Sequence, residues 1–489
     1  MRIVFVASEC VPFSKTGGLA DVVGALPEAL AALGHEVEVV LPRYRNTQRA
    51  ALHPNAQNVT LPLRGGFHYA ALESGPVMKG VRHYLVELPE FFDRDGLYQT
   101  KEGVDYADNA QRFAAFSFAA LEGLKRVSQP PDVIHCHDWQ TALTPVYLKR
   151  LYARDPFFAH SSTLLTIHNL SYQGLFPPEV LPQISLDGSI FSIDGLEFYG
   201  KVNFLKGGLL FSDFITTVSR KYAAEIQTPE FGCGLEGVLR NRAGRLQGIL
   251  NGVDYDVWNP AIDKLIPSSY SPVKLAGKKA CKKALLERMG AAKPDADCPV
   301  IGIVSRFAAQ KGFDLIAHLA EKLARIDAIV VALGTGEPEY EQLFRQLATD
   351  YPQKFLVKVA YDNEIAHWIE AGADIFLMPS RYEPCGLNQI YSLKYGTPPV
   401  VRATGGLDDT IQEFDGTGGT GFKFEDYSAL ALLDALERAV TTYRQPEAWR
   451  RLMLNGMAKD FSWTASAKAY AAIYEQLCVE KSGKSPKGL

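Results

Sequence analysis

The chain has 489 residues, too many for one hydrophobic core, so two domains are expected. It is 47% apolar and 22% charged with a net charge of −4, a soluble globular balance without the basic excess of a nucleic-acid binder or a block of like charge. The seven cysteines are scattered and form no C-x-x-C pair, which argues against a disulfide framework or a structural zinc; no apolar run is long enough for a membrane span, and no leader pattern is visible, so a cytoplasmic chain is expected.

Apolar runs alternate with amphipathic stretches in chain order. Predicted strands are Ile3–Ala7, Val37–Leu41, Val133–His135, Thr163–Ile167 and Phe214–Val218; predicted helices are Ala20–Leu33, Tyr106–Val127, Thr141–Ala153 and Val202–Phe211. Residues Ala51 to Leu88 read as a strand-rich insertion. After GILNGVDYDVW and a loosely patterned stretch, the alternation restarts. Strands are predicted at Val300–Val304, Ile329–Leu333, Phe355–Val359, Ile375–Met378 and Pro399–Arg402, with helices at Leu315–Ile326, Glu339–Asp350 and Ile365–Ala371. A last helix, Thr464–Glu475, follows Trp463. This grammar implies an α/β fold with two doubly wound, Rossmann-like domains facing a deep cleft. The expected boundaries are 1–250 and 251–460, with 461–489 a C-terminal helix packing back on the first domain.

In such sheets ligands bind at the carboxyl ends of strands, so the informative residues follow strands. In the first half these are Ser8-Glu9, the KTGG turn, HCHDW and IHN; in the second, SRFAAQKG, GTGE, AYD, PSRYEPCGLNQ and ATGGLDDT. Arg306 and Lys311 flank one strand-to-helix turn and can aim at one anion. Lys15 sits in a glycine turn that lets backbone N–H groups approach a ligand ahead of a helix N-terminus. A lone lysine in such a turn is more often a solvated surface residue; the matching cations at 306 and 311 favour the functional reading. Glu383 can accept hydrogen bonds from sugar hydroxyls, and the N–H groups of Gly386 and Leu387 can face a phosphate; the competing reading of Glu383 is a helix cap. The turn is neither a P-loop nor G-x-G-x-x-G, which disfavours a dinucleotide oxidoreductase.

KTGGLADV, HCHDWQT, TIHNLSYQG, LNGVD, SRFAAQKGFDL, PSRYEPCGLNQIYSLKYGTPPVVRATGGL and WTASAKAY occur in one order along essentially the whole chain. Together they resemble the bacterial glycogen synthases and the related starch synthases. The resemblance implies a GT-B fold, an acceptor-side first domain and a nucleotide-sugar-side second domain. It also implies retaining transfer of glucose from ADP-glucose to the non-reducing end of an α-1,4-glucan.

Carried onto this sequence, the resemblance implies that Lys15, Gly18 and Asp21 lie at the donor. Arg306 and Lys311 hold the pyrophosphate. Glu383 binds glucose hydroxyls, and Cys385, Gly386, Leu387 and Asn388 line the sugar and phosphate site. Tyr361 stacks on the adenine. His168 sits at the sugar, Asp138 and Trp139 lie near sugar and acceptor, and Asn251 lies near the hinge. Glu383, His168, Arg306, Lys311 and Asp138 form the catalytic set. Two positions depart from the pattern. Tyr391 stands where E-x7-E enzymes carry a second glutamate, and Asn388 where many relatives carry threonine.

No cofactor is expected. The D-x-D strings Asp93/Asp95, Asp254/Asp256 and Asp295/Asp297 are short and read as non-metal, HCHD lacks a third ligand at a convincing spacing, and the cations can stabilise the leaving group instead. The expected partners are the nucleotide sugar and the glucan, with neither nucleic acid nor membrane. ADP-glucose against UDP-glucose and the oligomeric state stay open. So do two competing functions: a transferase making a small glucoside, and a non-catalytic two-domain sugar-binding protein.

Overall fold

The computed structural model describes residues 1–47, 57–63, 66–291 and 297–483. The chain divides into two compact units. One holds Met1–Val218, Ala223–Gly252 and the chain from Trp463; the other holds Ser219–Tyr222 and Val253–Ser462.

In the first unit the strands are β1 (Arg2–Val6), β2 (Glu36–Pro42), β3 (Gln57–Leu63), β4 (Gly66–Met78), β5 (Val81–Glu87), β6 (Val133–His137), β7 (Ser162–Ile167), β8 (Leu175–Phe176), β9 (Glu197–Phe198), β10 (Lys201–Asn203), β11 (Phe214–Thr217) and β12 (Leu246–Gly248). The main sheet runs β12-β11-β7-β6-β1-β2-β5-β4-β3, and β8-β10-β9 form a small antiparallel sheet. Parallel pairing holds from β12 to β5; β4 and β3 then add antiparallel strands. The stretch read as an insertion is therefore an edge of the main sheet, because β5 pairs in parallel with β2; residues 51–56 of it lie outside the described residues. The chain goes from β1 to β2 on one side and returns to β6 on the other, which opens the switch-point crevice between β1 and β6.

Among the helices whose bounds differ from the prediction, three differ for identifiable physical reasons. The first, Gly18–Ala32, starts two residues early. Glycine propensity argues against that start, but the Glu9 carboxylate accepts from the N–H groups of Thr16 and Gly17 and fixes the turn. The stretch after HCHDW splits into Asp138–Thr141 and Leu143–Arg150, since Pro145 has no N–H for the Thr141 carbonyl. Phe204–Phe211 begins only after Asn203, whose side chain caps it by accepting from the Lys206 N–H at 2.9 Å.

The last helix, Trp463–Lys481, belongs to the first unit. Trp463, Ala467, Tyr470, Tyr474 and Leu477 recur at helical spacing and enter the core with Ile3, Phe5, Leu26 and Leu30.

The second unit is a parallel sheet of β13 (Val300–Val304), β14 (Ile329–Gly334), β15 (Phe355–Val359), β16 (Ile375–Met378), β17 (Pro399–Arg402) and β18 (Phe422–Phe424), in the order β15-β14-β13-β16-β17-β18. Its strands are buried on both faces. Phe313–Arg325, Pro338–Asp350 and Ala429–Tyr443 pack on one face, and Ala276–Arg288 and Asn363–Gly372 on the other. Here the switch point lies between β13 and β16. The connecting segment from Val253 is tied down by Trp258, whose ring is sandwiched between His367 and Tyr391 with both centroid separations at 3.9 Å.

Trp463→Ala removes a buried aromatic from the first unit's core and is expected to cost about 3–5 kcal/mol. Amide hydrogen exchange checks this: protection should fall in β1 and β6 and stay at the wild-type level in β13 and β14.

Candidate active site

The second unit's switch point is built by close backbone approach. Gly312 has a φ of 80°, and a Cβ there would sit 2.1 Å from the Pro379 carbonyl oxygen, so only glycine lets the turn after β13 lie against the turn after β16. The Arg381 N–H donates to the Gln310 carbonyl across the same junction at 2.9 Å. Between these turns Lys311 Nζ donates to Glu383 Oε2 at 2.6 Å, and Ser380 Oγ donates to the same oxygen at 3.0 Å. Glu383 is 5% exposed, and a carboxylate so enclosed needs a cation and hydrogen bonds to replace its lost water. Its main chain is held from below: a Cβ on Gly405 would meet the Glu383 carbonyl oxygen at 1.9 Å, and the Gly406 N–H donates to that oxygen at 3.0 Å.

Arg306 is exposed beside this pair, its guanidinium reaching Gln310 Oε1 at 3.1 Å. Lys311 was expected at the donor's phosphates; in this structure one of its N–H groups donates to Glu383. Gly386 has a φ of 71°, Leu387 is the N-cap, and the helix itself runs Asn388–Lys394. Asn388 Nδ2 donates one of its two N–H groups to the Val304 carbonyl at 2.7 Å and pins the helix to the end of β13. Cys385 is buried. Tyr361, after β15, is 86% exposed, a free aromatic face. Tyr391 is occupied by its stack on Trp258.

In the first unit Glu9 is the organising residue, and the sequence reading gave it no role. Buried just after β1, its carboxylate accepts from the N–H groups of Thr16 and Gly17, from Thr16 Oγ1 at 2.6 Å and from the Tyr98 hydroxyl at 2.6 Å. The first N–H groups of the KTGG turn are thus turned inward, not toward a ligand. Gly17 and Gly18 leave open space where a Cβ would be, and no side chain caps the helix start at Gly18. Lys15 is half exposed and pairs with Asp21 in the first helical turn at 2.7 Å.

Across the β1–β6 switch point, Asp138 adopts a φ of 54°, an unfavourable left-handed conformation of the kind that clusters at functional sites. Oδ1 accepts from the His168 N–H at 2.7 Å. Burial pushes the Asp138 carboxyl up to about 7, against the downward pull of the His168 and Asn169 N–H groups. Burial holds the His168 imidazole neutral, down at about 3. The ring touches His137, with Nε2 and Nδ1 3.0 Å apart. Trp139 faces inward, packed on Phe113, Phe176 and Phe204 and under Gly174; it shapes the floor of this region. Asn251 is buried with Oδ1 unpartnered.

The residues expected to act together are therefore met in two sets. Glu383, Lys311 and Arg306 share one switch point, and His168 and Asp138 share the other. Glu9 was detectable as a charged residue two positions after the apolar run Ile3–Ala7, and Ser380 as a hydroxyl three residues before Glu383. Of the D-x-D strings, Asp93 and Asp95 both pair with Arg45, Asp254 accepts from the Asp256 N–H in a turn, and Asp295 lies outside the described residues.

Comparison with known proteins accounts for both halves. The starch synthase catalytic domain family matches residues 2–241, and the group 1 glycosyl transferases match residues 288–452. A glycogen synthase of Koribacter versatilis is 56% identical, covering 97% of this chain and 98% of its own, and one of Anaeromyxobacter sp. is 49% identical over 98% and 99%. Among solved structures, the catalytic domain of starch synthase IV from Arabidopsis thaliana, bound to ADP and acarbose, superposes with a TM-score of 0.89 at 33% identity, covering 97% of this chain and 99% of that one. A sucrose-phosphate synthase from Thermosynechococcus elongatus, 19% identical with a TM-score of 0.62 and covering 98% of this chain and 99% of that one, shares the fold. With its two Rossmann-like units, the chain belongs to the glycogen synthase family of GT-B glycosyltransferases.

Proposed function

We propose that this chain transfers glucose from ADP-glucose to the non-reducing end of an α-1,4-glucan with retention of configuration, in the cytoplasm and without a metal. The observation that carries the reading is the Lys311–Glu383 pair at 2.6 Å, with Arg306 beside it, at the switch point of the second unit. A sugar diphosphate needs an acceptor for its glucose hydroxyls and positive charge for its phosphates, and these residues supply both. Lys311 keeps two further N–H donors for phosphate oxygens while one stays on Glu383. Arg306 adds a planar guanidinium suited to phosphate. The exposed ring of Tyr361 offers a stacking face for the base. The ADP bound by the Arabidopsis enzyme supports adenine as that base.

Chemically, the bond between the anomeric carbon and the phosphate oxygen breaks with an oxocarbenium-like ion pair. The departing ADP carries the electron pair and is stabilised by Arg306 and Lys311. The acceptor hydroxyl attacks the same face, and its proton passes to the leaving phosphate. His168, held neutral, is suited to a sugar hydroxyl, with Asp138 fixing its main chain. Lys15 can bind a phosphate only by leaving Asp21, its partner at 2.7 Å.

Arg306→Ala and Lys311→Ala should each lower kcat by about 10²-fold, the scale of one lost transition-state electrostatic contact. Glu383→Gln should lower kcat more than it raises KM for ADP-glucose, because the charged acceptor matters most as the sugar becomes cationic. Steady-state assays of glucose incorporation into glycogen, with circular dichroism to confirm folding, check both. Near-wild-type turnover in the folded variants overturns the assignment.

Activity should also persist in EDTA, since Arg306 and Lys311 supply the positive charge that other transferases take from an ion. Loss of turnover in the chelator, restored by Mg²⁺ or Mn²⁺, overturns the metal-free reading.

A further inference from the structure

His137 belongs to none of the roles above, yet it touches His168. It lies in β6, fully buried, with its ring against Phe5 (centroids 5.4 Å apart, planes 17° apart) and against His135 (4.2 Å, 31°). Its Nδ1 is 3.0 Å from His168 Nε2, and its own Nε2 is buried with no hydrogen-bond partner. We infer that His137 is a positioning residue: it donates its Nδ1–H to His168 Nε2 and so fixes His168 as the tautomer that carries its proton on Nδ1.

The direction follows from which donor would be left stranded. Burial holds both imidazoles neutral, so each ring has one N–H and one bare nitrogen. If His168 Nε2–H donated, the His137 proton would sit on Nε2, a buried donor with no acceptor, an arrangement that folded proteins rarely tolerate. If His137 Nδ1–H donates, the buried Nε2 is a bare lone pair. The remaining N–H is then His168 Nδ1–H, on a residue that is only partly buried.

His135 does not compete for this bond. Its Nδ1 is 2.8 Å from the Tyr474 hydroxyl and its Nε2 is 2.6 Å from Thr166 Oγ1. It holds the His137 ring by stacking alone. His168 is therefore presented to substrate as a hydrogen-bond donor at a fixed orientation, an inference whose kinetic consequence rests on the proposed transferase reaction.

The test uses the full chain labelled with ¹⁵N-histidine, with ring resonances assigned through His137→Asn and His168→Asn. Long-range proton–nitrogen spectra should show the Nδ1–H tautomer for both His137 and His168; the Nε2–H tautomer at His168 overturns the inference, whatever the activity. His137→Phe keeps a stacking ring but removes the donor, and His137→Asn restores a donor near the position of Nδ1. The Phe variant should lower kcat by about tenfold, the scale of one hydrogen bond, with KM for ADP-glucose little changed and the His168 tautomer mixed. The Asn variant should recover most of the rate and the single tautomer. Equal impairment of both variants with an unchanged His168 tautomer would reduce His137 to packing and overturn the inference. If the wild-type chain transferred no glucose from ADP-glucose, the proposed function would fail while the spectra still decided the tautomer.

Discussion

A carboxylate that is 5% exposed has given up its water and must find a cation and hydrogen-bond donors within the protein, and Glu383 is in that position. The constraint propagates through the second unit. Lys311 must reach it, so the turn after β13 must lie against the turn after β16, and Gly312 permits that approach. The carbonyl of Glu383 must also be held, so the turn after β17 must come close, and Gly405-Gly406 permit that. Asn388 then ties the following helix to the end of β13. Breaking this ion pair by removing one partner would strand a buried charge, which is costlier than losing a surface pair.

The first unit reaches order at its own switch point by the same means. Glu9 is the buried carboxylate there, and its donors are Thr16, Gly17 and Tyr98. The glycines of the KTGG turn therefore serve two ends. Their main chain can fold back onto Glu9, and the face left without a Cβ stays open. The turn is an anchored platform for Lys15 and for the helix N-terminus at Gly18, more than a cradle of free N–H groups.

Most of the architecture was legible in the sequence because parallel strands buried on both faces read as continuous apolar runs. Val300–Val304, Phe355–Val359, Ile375–Met378 and Pro399–Arg402 have the predicted bounds. What was not legible depended on particular residues against the local pattern. Pro145 split one helix and Asn203 delayed another. The β3–β5 stretch joins the main sheet through β5 alone, a pairing that periodicity does not reveal. At the site, residue types and strand-end positions were readable, but pairings were not. Nothing local in Ala-Ala-Gln-Lys-Gly tells that Lys311 closes on Glu383, or that Asn388 donates to the Val304 carbonyl. Tyr391 was readable only as a missing glutamate; its role in holding Trp258 needs the fold.

The two switch points differ in charge state. In the second unit Lys311 and Arg306 stand together with one buried carboxylate, a set that favours phosphate oxygens and gains strength as negative charge grows on a leaving group. In the first unit burial keeps His135, His137 and His168 neutral and raises the Asp138 carboxyl toward 7. That cluster has little charge to offer a phosphate. It offers oriented, uncharged hydrogen-bonding groups, which match hydroxyls that must be recognised without being ionised. Water is a competitor for any glycosyl cation, and a site that fixes neutral donors with buried neighbours does not depend on solvent to complete its hydrogen bonds. The left-handed φ of Asp138 is then understandable as a local cost, since it turns the carboxyl group back onto the His168 N–H and fixes the main chain that carries the imidazole.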